Sequence, residues 1–277
     1  MHSFATKRDH VIVPVSFEIP MEDSMHVLRN RPLRAVWELL RYLTIGNSLF
    51  NIPFLQTSIF ARSSLLNKNM EILTGNLDSS LLDARLPENL PDIEIMPVPH
   101  RSKDAEHDEL DSKGVFTLLT ALLQPLSFGS VRLASADPTC RAAVDLGFFA
   151  RPEDYTRLRI AIRFARCIAE TMRGQGYSIK DLRVPVSDSD ADIDAYIREK
   201  VQTSYHYTST CRMASENDSD HPGVVDEELR VHGIDGLRVC DTSIFPDILT
   251  THTMAGAVVA AEKCADLMKA SQVPSDT

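Results

Sequence analysis

The stretch VIVPVSFEI, residues 11–19, indicates the kind of fold that this chain adopts. Its apolar residues occupy every second position: Val11, Val13, Val15, Phe17 and Ile19. This alternation is the period of a strand with one buried face. Pro14 interrupts the pattern, because proline has no N–H group to donate to a neighbouring strand. We therefore predict a strand over residues 11–19 that lies at a sheet edge or is irregular.

The clearest helix in the first half of the sequence follows this strand. Its apolar residues recur at helical spacing: Leu33, Val36, Trp37, Leu40 and Leu43. Pro32 suits the first turn of a helix, and Gly46 suits its end. The pattern predicts a helix from Pro32 to about Ile45.

Three later stretches are predicted to be strands. Residues 93–98 and 129–135 alternate between apolar and other residues, whereas residues 115–123 form an apolar run. By periodicity alone that run fits a buried helix as well as a strand, and we assign it as a strand. Residues 74–91 are rich in Gly, Asn, Asp and Pro, which predicts a loop.

Two charged stretches accompany predicted helices in the second half. Residues 151–173 carry apolar residues on one side and a row of arginines on another: Arg159, Arg163 and Arg166. We interpret this row as a solvated face and not as a phosphate site, since it lies opposite an apolar stripe. The acidic run SDSDADID, residues 187–194, predicts the capped start of a short helix that ends near Lys200. A calcium loop fits less well, because its glycine and terminal glutamate are absent.

Strands and helices follow one another without a regular β–α alternation. This order predicts an α+β fold with an antiparallel sheet and flanking helices. The last 70 or so residues read differently: residues 237–240 are predicted to be a short strand, residues 247–251 a turn, and residues from Met254 to about Lys269 a helix.

Length and composition restrict the class of protein. The 277 residues include 29 Lys and Arg against 39 Asp and Glu, and this net charge of −10 argues against nucleic acid as a partner. No stretch approaches about 18 consecutive apolar residues, so we expect no membrane span and favour a cytoplasmic location. The five cysteines are widely spaced, which favours reduced thiols and argues against a metal site.

Two histidines are the best candidates for chemistry. His206 follows the predicted acidic helix, and His252 precedes the last helix, which Thr251 or Thr253 can cap. A histidine beside the positive end of a helix dipole tends to stay neutral and can accept a proton. Each histidine taken singly is more often a structural residue than a catalyst. No serine-nucleophile elbow, P-loop or HExxH motif is present, and Cys211 lacks the context of a catalytic thiol.

Several ordered motifs resemble the glucose-methanol-choline (GMC) family of flavin oxidoreductases. They are YHYTSTCRM at residues 205–213 and GVVDEELRVHGIDGLRVCDTSIFPDILTTHTMAGAVVAAEK at residues 223–263, with LLQPLSFGSVRLASADP at 122–138 and DHVIVPVSFEIP at 9–20 further upstream. The resemblance covers nearly the whole chain and corresponds to the C-terminal half of the family. It implies oxidation of a CH–OH group, with FAD as cofactor and a small-molecule alcohol as substrate.

The resemblance also implies roles for individual residues. His206 is the base that takes the substrate hydroxyl proton while hydride passes to flavin N5, and His252 holds the substrate oxygen or shares the proton. Four positions match residues that contact FAD: Asp241, Thr242, Thr253 and Met254. Residues 1–205 correspond to a substrate-binding domain and residues 206–277 to a segment that contacts FAD.

The sequence departs from the family pattern at three points. Ser209 and Ala214 replace two usual glycines, which affects local backbone geometry more than chemistry. The Rossmann unit with its GxGxxG motif is absent, which implies a partner that supplies the FAD-binding half. Two alternatives stay open: a non-redox lyase or cyclase reaction in the same pocket, and an inactive truncated protein.

Overall fold

The computed structural model describes residues 6–53, 55–73, 83, 85–101, 109–218 and 222–271. Antiparallel strands and helices mix in these ranges, which confirms the predicted α+β class. The chain divides into two compact units. We call residues 12–122 with 155–202 the two-segment unit, and residues 1–11, 123–154 and 203–277 the three-segment unit.

The elements have the following bounds in the described residues. The strands are β1 (Thr6–Lys7), β2 (Val11–Ile19), β3 (Ile59–Ala61), β4 (Ile93–Val98), β5 (Gly114–Leu122), β6 (Gly129–Arg132), β7 (Ala143–Asp145), β8 (Lys180–Arg183) and β9 (Gln202–Thr203). The helices are α1 (Val27–Asn30), α2 (Pro32–Thr44), α3 (Glu153–Gly174), α4 (Asp190–Lys200) and α5 (Met254–Ala270). The predicted helices and the strands over 93–98 and 115–123 are thus confirmed, and most of the predicted loop 74–91 lies outside the described residues.

The larger sheet has the strand order β3-β4-β5-β2-β8, and β9 also pairs with β2. Of the two alternatives predicted for residues 11–19, the edge position does not apply, because β2 lies between β5 and β8. Its predicted irregularity is confirmed, since the register with β8 shifts between Ser16 and Phe17. The paired residues of β2 and β8 begin at Ser16, so Pro14 lies beyond them and its missing N–H costs no bond to β8.

A tyrosine of α4 occupies the place where β8 does not reach Pro14. The Tyr196 hydroxyl lies 2.8 Å from the Pro14 carbonyl oxygen and 2.8 Å from the Arg183 carbonyl oxygen. Burial raises the pKa of Tyr196, so this hydroxyl stays a hydrogen-bond donor at neutral pH. The side-chain donor thus satisfies a carbonyl group in the middle of a strand that contains proline.

The core of the two-segment unit follows the alternation seen in the sequence. Val13, Val15 and Phe17 of β2 are buried, as are Leu118 and Leu122 of β5. Helix α3 contributes buried residues at helical spacing: Leu158, Ala161, Ile162, Ala165 and Ala169. Burying a large apolar side chain contributes about 1.5–3 kcal/mol, so these faces supply much of the stability of the unit.

The arginine row of α3 pairs with the acidic run at the start of α4. Arg159 Nε and Nη2 each lie 2.6 Å from an oxygen of Asp194, which forms a bidentate ion pair. Arg163 pairs with Asp190 at 2.5 Å, and Arg166 pairs with Asp188 at 2.6 Å. The interpretation of the row as a solvated face is therefore wrong: the two charged stretches are partners. The predicted cap is confirmed, because the Ser189 side chain accepts a hydrogen bond from the Asp192 N–H.

Helix α2 exposes the residues that normally face a core. Leu33 is 87% exposed and Trp37 is 56% exposed, whereas the Glu38 side chain is fully buried. The Glu38 carboxylate accepts a hydrogen bond from the Leu49 N–H at 2.9 Å and pairs with Arg34 at 2.8 Å. The Leu49 N–H, followed by the charge of Arg34, lowers the pKa of Glu38 against the opposing effect of burial. The amphipathic pattern predicts the helix correctly, but not the face that the protein buries.

The three-segment unit has its own small antiparallel sheet, in the order β1-β6-β7. Thr6 pairs with Ser130, and Ser130 pairs with Asp145. Gly129 allows this close approach, because a Cβ atom there would lie 2.0 Å from the Asp145 carbonyl oxygen. The strand predicted over residues 129–135 is thus shorter than expected and ends at Arg132.

Residues 223–240 of this unit form turns and single bridges. The prediction of a strand over residues 237–240 is wrong, because the segment makes only an isolated bridge between Arg238 and Arg230 in the described residues. Gly236 has a φ angle of 75°, which turns the chain immediately before this segment. A small cluster packs nearby, with Val225, Leu229, Ile244 and Cys264 buried.

None of the helices in the described ranges combines the length and the apolar character needed to cross a lipid bilayer.

Candidate active site

The two predicted catalytic histidines lie side by side in the three-segment unit. His206 lies between β9 and Thr208, which forms an antiparallel bridge with Arg8. His252 lies two residues before α5. Their ring centroids are 5.0 Å apart, and the rings meet edge to face at 78°. Both side chains are partly exposed. The fold thus brings together two imidazoles that the sequence separates by more than 40 residues.

A third histidine, which sequence reasoning missed, contacts His206 from the other side. The His10 and His206 ring centroids are 5.0 Å apart, and their Nδ1 atoms are 2.8 Å apart. His10 is only 1% exposed. His10 stands immediately before the predicted strand in DHVIVPVSFEIP, but no local spacing in the sequence connects it to His206.

Asp9 holds the backbone of this histidine segment. Its Oδ1 accepts a hydrogen bond from the His206 N–H at 3.0 Å, and its Oδ2 accepts one from the Thr203 hydroxyl at 2.5 Å. Asp9 is 4% exposed, and this burial raises the pKa of its carboxyl group against the opposing effects of Thr203, Lys7 and His206. The residue therefore serves to fix the position of His206.

Lys7 lies against the same carboxylate and an aromatic ring. Its Nζ is 3.5 Å from Asp9 Oδ2 and 4.3 Å from the centroid of the Tyr207 ring. Burial lowers the pKa of Lys7, although the charge of Asp9 opposes this shift. The ammonium group thus joins Asp9 to the residue that follows His206.

Ser209 adopts the backbone conformation that the family's usual glycine would favour. Its φ angle is 70°, in the left-handed region, and its side chain is buried. The replacement of glycine is therefore accommodated without loss of the turn. At the second departure, the Ala214 carbonyl oxygen lies 2.9 Å from His232 Nε2.

Asp241 and Thr242, two of the predicted cofactor contacts, lie at a 3₁₀ turn. Asp241 precedes the turn Thr242–Ile244 and accepts a hydrogen bond from the Ser243 N–H at 2.7 Å. The Thr242 hydroxyl donates a hydrogen bond to the Tyr207 carbonyl oxygen at 2.7 Å. This bond ties the turn to the segment that carries His206.

Thr253 and Met254, the other two predicted contacts, form the start of α5. Thr253 occupies the N-cap position, but its side chain does not cap the helix in the described structure, so the prediction of capping by this side chain is wrong. Met254 is 79% exposed. The N–H groups of a first helical turn have no acceptor within the helix, and here they lie next to His252. This end of α5 suits an electron-rich ring or an anion.

The described residues contain no cluster of three or more His, Cys, Asp or Glu side chains that could hold a metal ion. All five cysteines are free thiols in the structure. Burial raises the pKa of the Cys240 thiol to about 11, with Cys264 as a further cause. Cys240 is therefore a poor nucleophile at neutral pH.

The chain was compared with known families and proteins. Residues 125–261 match the family model for the C-terminal part of GMC oxidoreductase. The curated relatives include oxygen-dependent choline dehydrogenase 1 from Chromohalobacter salexigens, which is 35% identical over 148 residues, 53% of this chain and 26% of the relative. Oxygen-dependent choline dehydrogenase from Burkholderia orbicola is 38% identical over 148 residues, again 53% of this chain and 25% of the relative.

Solved structures extend the likeness over the whole chain. A variant of the FAD-containing formate oxidase from Aspergillus oryzae has a TM-score of 0.79 and 27% identity, and covers 98% of this chain and 48% of its own. Pyridoxine 4-oxidase, with a TM-score of 0.69 and 21% identity over 98% of this chain and 44% of its own, shares the fold. The chain therefore spans about a quarter of the length of these curated relatives and about half of these solved structures.

Proposed function

Because the chain belongs to the GMC oxidoreductase family through its C-terminal region, we propose that it carries the substrate half of an FAD-dependent oxidoreductase. The proposed reaction is the oxidation of a CH–OH group of a small alcohol. The observation that carries this proposal is the edge-to-face pair of His206 and His252 at the N-terminus of α5. A pair of neutral imidazoles beside helix N–H donors can accept a proton and also stabilise an oxygen that gains negative charge.

The residues around this pair fit a flavin. The uncapped first turn of α5 and the exposed Met254 offer N–H donors and an apolar surface at one place. The hydrogen bond from the Thr242 hydroxyl to the Tyr207 carbonyl oxygen holds Thr242 next to the segment that carries His206. We propose that Asp241, Thr242, Thr253 and Met254 hold the flavin part of FAD. Bound FAD would supply the acceptor for the hydride at flavin N5.

His206 is the proposed base. Its backbone is fixed by Asp9, and its ring is fixed between the rings of His10 and His252. A base held on three sides reaches the substrate hydroxyl in one orientation, which removes most of the entropic cost of proton transfer. His206 accepts the hydroxyl proton of the substrate in this proposal.

His252 is the proposed partner. Its ring lies 5.0 Å from the His206 ring, close enough for both to contact one hydroxyl group. It holds the substrate oxygen while the proton moves to His206. We propose a small alcohol as the substrate class, because the curated relatives include choline dehydrogenases.

We further propose that an FAD-binding half completes the site. This proposal is supported by the formate oxidase structure, in which 98% of this chain aligns with only 48% of the oxidase. The ADP part of FAD would be held by that second half, and the pocket side of the flavin by this chain.

The test uses the 277-residue chain with FAD, alone and mixed with the FAD-binding half of a choline dehydrogenase. Visible absorption reports flavin binding, and anaerobic addition of choline or a panel of primary alcohols reports flavin reduction. We expect reduction that His206→Ala abolishes and that the matched control His232→Ala retains, since the His232 ring bonds to the Ala214 carbonyl oxygen and is not part of the His206–His252 pair. Absence of flavin binding both in the chain alone and in the chain mixed with the FAD-binding half would contradict the proposal. Consumption of an alcohol without flavin reduction would instead indicate the lyase or cyclase alternative.

A further inference from the structure

We propose that His10 is a positioning residue that sets which ring nitrogen of His206 carries the proton before the reaction. This inference deepens the proposed function and rests on His206 as the base. It concerns only residues of the three-segment unit.

His10 and His206 are in contact through one ring nitrogen each. His10 Nδ1 and His206 Nδ1 are 2.8 Å apart, which is a hydrogen-bond distance. Two bare nitrogens at this distance would repel through their lone pairs, and two N–H groups would repel through their hydrogens. One Nδ1 therefore carries a hydrogen and donates it to the other.

The direction of this bond decides which nitrogen of His206 is free of hydrogen. If His10 were the donor, His206 Nδ1 would be the acceptor and neutral His206 would carry its hydrogen on Nε2, where it could not take a further proton. If His206 is the donor, its Nε2 is bare and can accept the substrate proton. With His206 as the base, His206 is the donor and His10 the acceptor, because only this arrangement leaves neutral His206 with a ring nitrogen that can take the substrate proton.

The positive charge that proton transfer creates resides on the His206 ring. His10 is 1% exposed, so a charged imidazolium on this ring would lose most of its hydration. His206 is only partly buried and can keep more of it. After proton transfer, the His206 Nδ1–H still donates to the neutral His10, and the bond becomes charge-assisted and stronger. His10 thus stabilises charged His206 without becoming charged itself.

Backbone hydrogen bonds fix the segment of His206 against the segment of His10. Asp9, next to His10 in the sequence, accepts the His206 backbone N–H at 3.0 Å. The His10 carbonyl oxygen accepts the Ser204 N–H at 3.1 Å. Consecutive residues thus hold both the backbone and the ring of His206. A turn of the His206 ring about its Cβ–Cγ bond would break the 2.8 Å bond between the two Nδ1 atoms.

The test is the tautomer of His206 in the 277-residue chain itself, read without cofactor or substrate. Long-range proton–nitrogen correlation spectra of chain labelled with ¹⁵N-histidine, near pH 8, distinguish protonated from bare ring nitrogens. The variant His206→Gln assigns the signals. We expect protonated Nδ1 and bare Nε2 on His206.

Two substitutions of His10 make this result specific. His10→Ala removes the acceptor, and we expect the single Nδ1–H form of His206 to give way to a mixture of both tautomers. His10→Asn places an amide oxygen near the position of the ring Nδ1, so it should keep the Nδ1–H form. His232→Ala, which removes a different hydrogen-bonded ring of the same unit, should change nothing. A wild-type His206 with its hydrogen on Nε2, or an unchanged tautomer in His10→Ala, would overturn the proposal.

Kinetics separate this proposal from the proposed function. In the flavin-reduction assay, His10→Ala should lower the rate at saturating alcohol by about 100-fold with little change in KM, and His10→Asn should recover most of it. A chain that shows the predicted tautomers but never reduces flavin would leave the role of His10 standing and contradict the oxidoreductase. Circular dichroism of each variant confirms that the fold is retained.

Discussion

His206 lies between two residues whose backbones are left-handed. Tyr205 has a φ angle of 60° and Ser209 one of 70°, and each such residue costs about 1–2 kcal/mol unless it is glycine. The conformations persist because the contacts around them over-determine the turn: Asp9 holds the His206 N–H, and Ser209 is buried. Local strain is thus one cost of placing His206 beside His10 and His252.

Replacing Ser209 tests this strain. Ser209→Val should lower the free energy of unfolding by about 2–3 kcal/mol, because a branched side chain fits neither the left-handed backbone nor the buried site. Ser209→Gly should stay within about 1 kcal/mol of wild type, since relief of strain offsets the greater entropy of unfolded glycine. Urea denaturation of both variants measures the difference. Equal stability of the two variants would show that the turn is not strained.

The buried carboxyl group of Asp9 should make stability depend on pH. Burial raises its pKa above the ordinary value of 3.8, so the folded chain still holds this proton where the unfolded chain has released it. The folded state binds more protons, and Asp9 therefore makes the free energy of unfolding fall as the pH rises from 3.8 to the folded-state pKa. This contribution has a slope of at most about 1.4 kcal/mol per pH unit.

Denaturation at a series of pH values checks this slope. Asp9→Asn should remove the contribution, whereas Asp235→Asn, a change at an exposed position, should retain it. A profile for Asp9→Asn that runs parallel to wild type would contradict the assignment.

Sequence reasoning predicted some residues of the candidate site and missed others for a physical reason. His206 and His252 stand in contiguous motifs, so their identity was readable. His10 lies 196 residues away from His206, and its pairing depends on how three distant segments meet. No periodicity or local motif contains that information.

Among the elements, charged side chains decide the arrangement of α3 and α4. Periodicity predicted both helices, because it depends on neighbours within one helix. It could not show that the arginines of one helix pair with the aspartates of the other, since that depends on their packing. The same reason explains α2, where the apolar spacing is correct but Glu38 is the buried side chain.

The ion pairs between these helices should differ in strength. Arg159 makes two short bonds to Asp194, and both side chains are largely covered. Arg159→Lys should therefore cost about 1–2 kcal/mol, because lysine cannot reproduce the bidentate geometry.

The matched control is Arg166→Lys. Arg166 makes a single pair with Asp188, whose side chain is 63% exposed, and such exposed pairs contribute about 0.2–1 kcal/mol. Thermal or urea denaturation of the two variants gives the comparison. A larger loss for Arg166→Lys than for Arg159→Lys would contradict the structural ranking.

At the level of the whole molecule, the three-segment unit is informative because its segments come from three separate parts of the sequence. The predicted division into a substrate-binding domain, residues 1–205, and an FAD-contacting segment, residues 206–277, is a division by function, and it stays a prediction. The compact units follow contacts instead, and they join residues 1–11 and 123–154 to residues 203–277. Sequence order could not predict this, because the antiparallel contacts of Arg8 with Thr208 link segments that are 200 residues apart in the chain.

The fragment of residues 206–277 should not fold alone. It retains the cluster around Val225 and Ile244, but it loses the two backbone bonds between Arg8 and Thr208 and the Asp9 contact to His206. We expect little cooperative unfolding of the fragment by circular dichroism, in contrast to the full chain. A sharp thermal transition of the isolated fragment would show that it is a separate domain.

The distance between His10 and His206 along the chain also has a consequence during biosynthesis. With 196 residues between them and a ribosome that adds roughly 5–20 residues per second, His10 emerges about 10–40 s before its partner. During that interval the nascent polypeptide holds Lys7, Asp9 and His10 without the segment they bind. The contact between His10 and His206 therefore forms only after the residues of the two-segment unit have been translated.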